Sequence, residues 1–295
     1  MLIDLKYHLI SLVAVFLALA VGMLMGSSFI AGTSVKGLEQ QFVRLRTENR
    51  QQRDVIDNLR DQGAKQMEFS RAVAPMLVDN RLAMLRVAIV QTGDYSEATQ
   101  SAKSILEQAG ANVASVTTLS YLDSPVAQKR ISDAIEEITG QIETGDLVGR
   151  MLGILANCVA TGSNREVLQV FEKHELLTLA GDYEHRTSRV VLVGGSRRRE
   201  SVQPQHSDLA LIDALHEAGI VTVVGTEPAD AVSSYIPIYH SKAIPTVDNV
   251  DQPMGQVALV YAVAGEEGNF GIKKSADRVA PSSLGSGQWR SGSVQ

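Results

Sequence analysis

Arg86-Val-Ala-Ile-Val-Gln91, running into Thr92-Gly93-Asp94, is the stretch that decides the fold. A short, β-branched apolar run that stops at a turn reads as a buried strand. The same pattern recurs. Ser188–Val193 runs into Gly194-Gly195-Ser196, and Ile220–Val224 runs into Gly225-Thr226. Asn112–Thr118 reads as a further strand. Helical periods separate these runs. Ser96–Ala109 is amphipathic and stops at Gly110, a good residue just past a helix end. Ser124-Pro125 opens a helix to about Gly140, with Pro at its permitted first position. Asp146–Thr161, Asn164–Leu177 and Ser207–Ala218 follow, the last closed by Gly219. Pro253–Ala264 is a final helix, with Asp251 placed to cap it.

Strands that alternate with helices and are continuously apolar imply a parallel sheet covered on both faces. The expected fold is therefore α/β: a Rossmann-like, mostly parallel sheet covered by helices, over residues 86–274. Tyr235–Thr246 and Ala243–Val247 leave room for a short edge or final strand. From Ser275 the chain is rich in Ser, Gly and Pro, so 275–295 reads as a disordered tail in which Trp289 is incidental.

Upstream of residue 86 the pattern changes. No residue from Tyr7 to Val35 carries a full charge at neutral pH. Leu9–Ala31 is 23 residues, roughly 34 Å as a helix, which spans a hydrocarbon core. Residues 1–31 thus read as a transmembrane anchor. Gly22 and Gly26 are spaced GxxxG, which permits close helix approach. A cleaved signal peptide is the rival, but the run is long, no A-x-A site follows, and the helical pattern continues.

Residues 32–85 read as a coiled-coil stalk. Between 36 and 86 stand 10 Lys/Arg and 7 Asp/Glu, and no proline precedes Pro75. Val35, Phe42 and Ile56 take heptad position a, with Asn49; Leu38, Leu45 and Leu59 take position d, with Gln52. Such a seam buries itself only against another helix, and a lone Asn at a pins register, so a homodimer through the stalk is expected. Gly63-Ala-Lys-Gln66 reads as a stop or kink. Val73 and Leu77 resume the phase before Pro75 and Asp79-Asn80 end it.

Composition excludes several functions. The 295 residues carry a net charge of −6, against a nucleic-acid partner. One Trp, seven Tyr and six Phe argue against stacking platforms. A single cysteine, Cys158, excludes a disulfide framework and lies in an apolar helix as a core residue. No GxGxxG, GxxxxGK[ST] or GxSxG occurs, so no catalytic residue is assigned and the protein does not read as an enzyme. The six histidines show no ligand spacing and the eight methionines no cluster, so no metal ligand or cofactor is assigned. One candidate ligand loop remains at the strand ends: Asp94, with Gly194, Gly195, Ser196 and Arg197. A Gly-Gly-Ser turn entering Arg197-Arg-Arg199 has the donors for an anion, though a plain tight turn explains it as well.

Two longer stretches carry more. YHLISLVAVFLALAVGMLMGSSF, Tyr7–Phe29, resembles the opening of the MctB-like copper-transporter family. IPTVDNVDQPMGQVALVYAVAG, Ile244–Gly265, followed by NFGIKKSADRVAP, resembles that family's C-terminal signature. The resemblance covers roughly residues 7–281. It implies a cell-membrane, single-pass envelope protein with an extracytoplasmic α/β domain and a role in copper transport or homeostasis. That overrides the weak positive-inside reading, in which Lys36, Arg44, Arg46 and Arg50 would keep the bulk inside. Copper is possible by resemblance, but no ligand set comes with it. One span cannot line a pore, so action through an envelope partner or ligand is expected. SteB-type relatives suggest the alternative: a membrane-anchored coiled-coil scaffold regulating a cell-wall or division enzyme.

Overall fold

The computed structural model describes residues 5–142, 144–199 and 204–286. The chain forms two compact units, residues 1–66 and 67–295. Helix α1 is Leu5–Val78. Within it Lys6–Gly26, 21 residues of mean hydropathy 2.6, is long and apolar enough to cross a membrane. The stalk residues Phe42, Leu45, Ile56 and Leu59 are all exposed in the single chain, as is Asn49. The side chains of Val35 and Leu38 lie outside the described residues. The 63–66 segment does not stop the helix, because a glycine there costs only about 1 kcal/mol and the residues around it are good helix formers. Pro75 also sits inside α1, and the helix ends at the following Asp79-Asn80, where Asn80 takes a left-handed φ of 54°.

The second unit starts with the last turns of α1, whose Ala74 and Val78 are buried in its core. Its elements are β1 (Arg86–Gln91), α2 (Ser96–Gln108), β2 (Asn112–Leu119), α3 (Pro125–Thr139), α4 (Leu147–Thr161) and α5 (Arg165–Lys173). Then come β3 (Leu177–Gly181), β4 (Arg189–Val193), a π-helical turn (Pro204–Asp208), α6 (Leu209–Glu217) and β5 (Thr222–Thr226). The short helix α7 (Ile236–Tyr239), β6 (Thr246–Val247), α8 (Pro253–Ala264), β7 (Asn269–Phe270) and α9 (Ser283–Ser286) complete it. The seven strands form one sheet in the order β3-β2-β1-β4-β5-β6-β7. Every pair is parallel except β2 with β3.

Two cores sandwich the sheet, because each central strand sends alternate side chains to opposite faces. Ala88, Val90, Val190 and Leu192 face a core built by α3, α4, α5 and α6. Val87, Ile89, Val191 and Val193 face the other, built by α2, α8 and the end of α1. The expected parallel, two-sided sheet is therefore what forms.

Three local expectations are corrected. The helix expected over Asn164–Leu177 ends at Lys173, and Leu177–Gly181 turns back as the antiparallel edge strand β3. Glu175 makes the break with a φ of 56°, a conformation its residue type does not advertise. Asp251 does not cap α8, whose N-cap is Gln252 without a side-chain bond; Asp251 Oδ1 instead accepts the Ala229 N–H at 2.7 Å. Of the tail expected to be disordered, residues 275–286 are described and make specific contacts. Arg278 pairs with Phe270 in a β-bridge, and Ser283 donates its hydroxyl to Glu266, while Trp289 lies outside the described residues.

Candidate functional site

The chain leaves β1 towards β2 and returns on the other side as β4, so the strand order reverses between β1 and β4. In open α/β sheets ligands sit outside the carboxyl ends of the strands at such a reversal. Here the candidate ligand loop assembles. Thr92 and Gly93 both donate N–H to Val193 O, at 2.9 and 3.0 Å, and Asp94 N–H donates to Gly195 O at 3.2 Å. The loops approach so closely that a Cβ on Gly93 would meet the Gly194 carbonyl carbon at 2.6 Å. Only glycine permits that contact.

The donors of the Gly-Gly-Ser turn are already in use. Ser196 Oγ donates to Asp94 Oδ2 at 2.9 Å, and Arg197 N–H donates to Asp94 Oδ1 at 2.8 Å. Arg197 also lays its guanidinium 4.4 Å from the centre of the Tyr95 ring and pairs with Glu97. A helix-end amide and Arg197 together hold the Glu97 carboxyl below its usual range. Asp94 thus stands where an external anion would bind, and all five expected loop residues are in one place. An anion would have to displace the chain's own carboxylate.

Beneath this loop lies a polar cluster that no sequence motif marks. Asp208, the last residue of the π-helical turn, is completely buried. Its Oδ2 accepts Thr92 Oγ1 at 2.6 Å and the Tyr239 hydroxyl. Burial, with the charge of Asp123 added, pushes its carboxyl up to about 7 against the hydroxyl bonds. Tyr239 in turn is raised well above its ordinary value by burial and by Asp208. Gly194 and Gly225 make room for it: a Cβ on either would collide with the Tyr239 side chain. Tyr235 packs edge-on against the Tyr239 ring, centroids 6.4 Å apart.

The C-terminal stretches clip the far edge of the sheet. Glu227, fully buried after β5, accepts Lys273 Nζ at 2.6 Å, Ser234 Oγ at 2.5 Å and Tyr235 N–H at 2.7 Å. Asp248 accepts the backbone N–H groups of Ile272 and Lys273, each at 2.9 Å. Asp248 and Lys273 therefore join the two halves of the signature Ile244–Gly265 and Asn269–Pro281, a structural role.

Soft copper donors are scattered. Cys158 is buried in α4 and desolvation raises its thiol to about 11, so it stays protonated and ligates poorly. His174 lies 3.0 Å from Glu137 and His185 2.8 Å from Asp182. Met151 is core, whereas Met76 and Met84 are exposed. Among the described residues no group of three or more His, Cys, Asp or Glu surrounds a common metal position.

Comparison with known proteins gives one consistent answer. The family model described as "Copper transport outer membrane protein, MctB" matches residues 2–281. Copper transporter MctB of Mycobacterium tuberculosis is 25% identical over 317 residues, covering 95% of this chain and 100% of the relative. Copper transporter MctB of Mycobacterium leprae is 24% identical over 314 residues, covering 94% and 99%. The match runs from the apolar N-terminal helix through the sheet to the clipped C-terminal edge, and the chain belongs to the MctB copper transport outer membrane protein family.

Proposed function

We propose that the protein is a single-pass envelope protein that serves copper transport or homeostasis as a dimer, with its α/β unit outside the cytoplasm. It acts by binding a partner or ligand, without catalysis of its own, rather than by forming a pore. The single candidate span among the described residues, Lys6–Gly26, carries this reading. One helix leaves no lumen, and the seven-stranded sheet is open, with β3 and β7 at its two edges. Spanning structures need bundled helices or a closed barrel. The exposed row Phe42, Leu45, Ile56 and Leu59 supports the dimer, since an apolar stripe on a lone helix gains stability only against a partner. The names of the relatives favour copper over the cell-wall scaffold alternative.

The decisive experiment combines topology, oligomeric state and flux. Asn49→Cys in native membranes gives an oxidative cross-link between two copies. Cysteines placed on the α/β unit react with an impermeant reagent from outside intact cells. Purified full-length protein in vesicles gives no copper flux alone. Flux from the isolated protein, or no cross-link, would overturn the proposal.

A further inference from the structure

The amino ends of β6 and β7, on the edge of the sheet opposite the reversal point, border a pocket of about 320 Å³. Its walls are the segments that enter the two strands, together with His240, Asn269 and Arg278. Two opposite charges line it without pairing. Arg278 Nη2 donates to the backbone carbonyl of Glu267 at 3.2 Å, not to its carboxylate. Arg278 Nη1 donates to Ser282 Oγ, and the guanidinium carbon lies 5.5 Å from the centre of the Phe270 ring. A Cβ on Gly268, whose φ is 134°, would come within 2.9 Å of Nη2, so glycine makes room for the guanidinium. The group is thus held in place with N–H donors to spare. Among the described residues neither Arg278 nor the exposed Glu267 takes part in an ion pair.

A third polar group is fixed by a chain of hydrogen bonds. Asn269 Nδ2 donates to Asp277 Oδ2 at 2.8 Å, and its Oδ1 accepts the Thr246 hydroxyl at 2.9 Å. Thr246 has then spent its proton, so towards His240 Nε2, 3.3 Å away, it accepts. The neutral ring therefore carries its proton on Nε2 and keeps Nδ1 as an acceptor. One pocket thus joins a fixed guanidinium, which matches a carboxylate in a two-pronged fork, to two acceptors, Glu267 and His240 Nδ1, which suit an ammonium. Its volume equals that of roughly ten waters at about 30 Å³ each, which limits the ligand to a small molecule. The acidic Glu267 opposes a doubly charged phosphate and favours a ligand that brings a positive group of its own.

We propose that this pocket binds a small amino-carboxylate zwitterion, its carboxylate on Arg278 and its ammonium on Glu267 and His240. The site goes beyond the copper role and does not depend on it.

The test is isothermal titration of the full-length protein in detergent with glycine, L-alanine and D-alanine. Acetate, glycinamide and inorganic phosphate serve as probes that each lack part of the charge pattern. The expected result is that at least one of the three amino acids saturates one site per chain. Acetate and glycinamide bind more weakly by about tenfold or more, the order of loss when a charged hydrogen-bond partner is missing. Arg278→Lys, which keeps the charge but loses the fork, and Glu267→Gln each weaken the amino acid by a similar factor. Glu267→Gln alters an exposed side chain and keeps the test decisive should Arg278→Lys fail to fold. The proposal falls if none of the three amino acids saturates a site, or if both variants bind as wild type does. It falls too if acetate or phosphate binds as tightly as the amino acid, which would make this a plain anion site.

Discussion

Leu45 on the stalk keeps 60% of its surface exposed, while Leu152 in α4 keeps none. Both belong to periodic apolar helices, and both periods were plain in the sequence. The difference lies in what each helix meets. α4 lies on a sheet and packs with α3, α5 and α6, so its stripe is covered within one chain. The stalk residues 40–66 are all exposed in the single chain. A repeat of apolar residues states that a helix has a partner, and leaves open whether that partner is the same molecule.

The comparison can be broken at graded strength. Leu152→Ala removes a fully buried side chain and is expected to lower the unfolding free energy of the α/β unit by about 3–5 kcal/mol in urea titration. A loss comparable to that of a surface site would mean the core closes over the cavity. Asp208 gives the next effect. Its folded carboxyl titrates near 7, above the ordinary 3.8, so the folded state holds the proton more tightly. The associated stability is full below about pH 4 and is lost as pH rises through 7, up to about 4 kcal/mol in all. Wild type should therefore lose stability over that window relative to Asp208→Asn, and equal slopes would refute the assignment.

Lys273→Ala leaves Glu227 buried and unpaired, which should cost about 3 kcal/mol, somewhat reduced because Lys273 is 22% exposed. Gly93→Ala drives a methyl into the Gly194-Gly195 backbone and should cost about 2 kcal/mol by forcing the two loops apart. The smallest effect closes the series. Leu45→Ala should change the unfolding of the α/β unit by less than about 0.5 kcal/mol, yet reduce the Asn49→Cys cross-link. A large destabilisation of the unit by Leu45→Ala would mean the stalk contributes to its stability, and the comparison would fail.

Legibility followed the range of the interactions. The starts and stops of α3 and α4 were readable because their caps are local: Ser124 Oγ accepts the Ala127 N–H, and Asp146 Oδ1 accepts the Gly149 N–H. β3 was missed because Leu176 and Leu177 continue the apolar period of α5, and the turn between them carries no Gly or Pro. β6 and β7 are two residues each, too short to show a period. The ligand loop was legible in part, since strand ends mark themselves by glycine. That Asp94 fills its own turn was not legible, because the bonded residues stand 102 and 103 positions apart.

The sequence by itself determined the apolar helix, the charged heptads after it, the alternation of strands and helices, and the glycines at the strand ends. Each depends on neighbours within a few turns of chain, which residue type and spacing encode directly. Only the tertiary structure decided the strand order, the clip of Glu227 on Lys273, and the meeting of Asp208 with Thr92 and Tyr239. Those side chains lie 31 to 116 residues from Asp208 where bonds join them. Their properties come from burial and from one another's charge, which exist only once the sheet has closed over them.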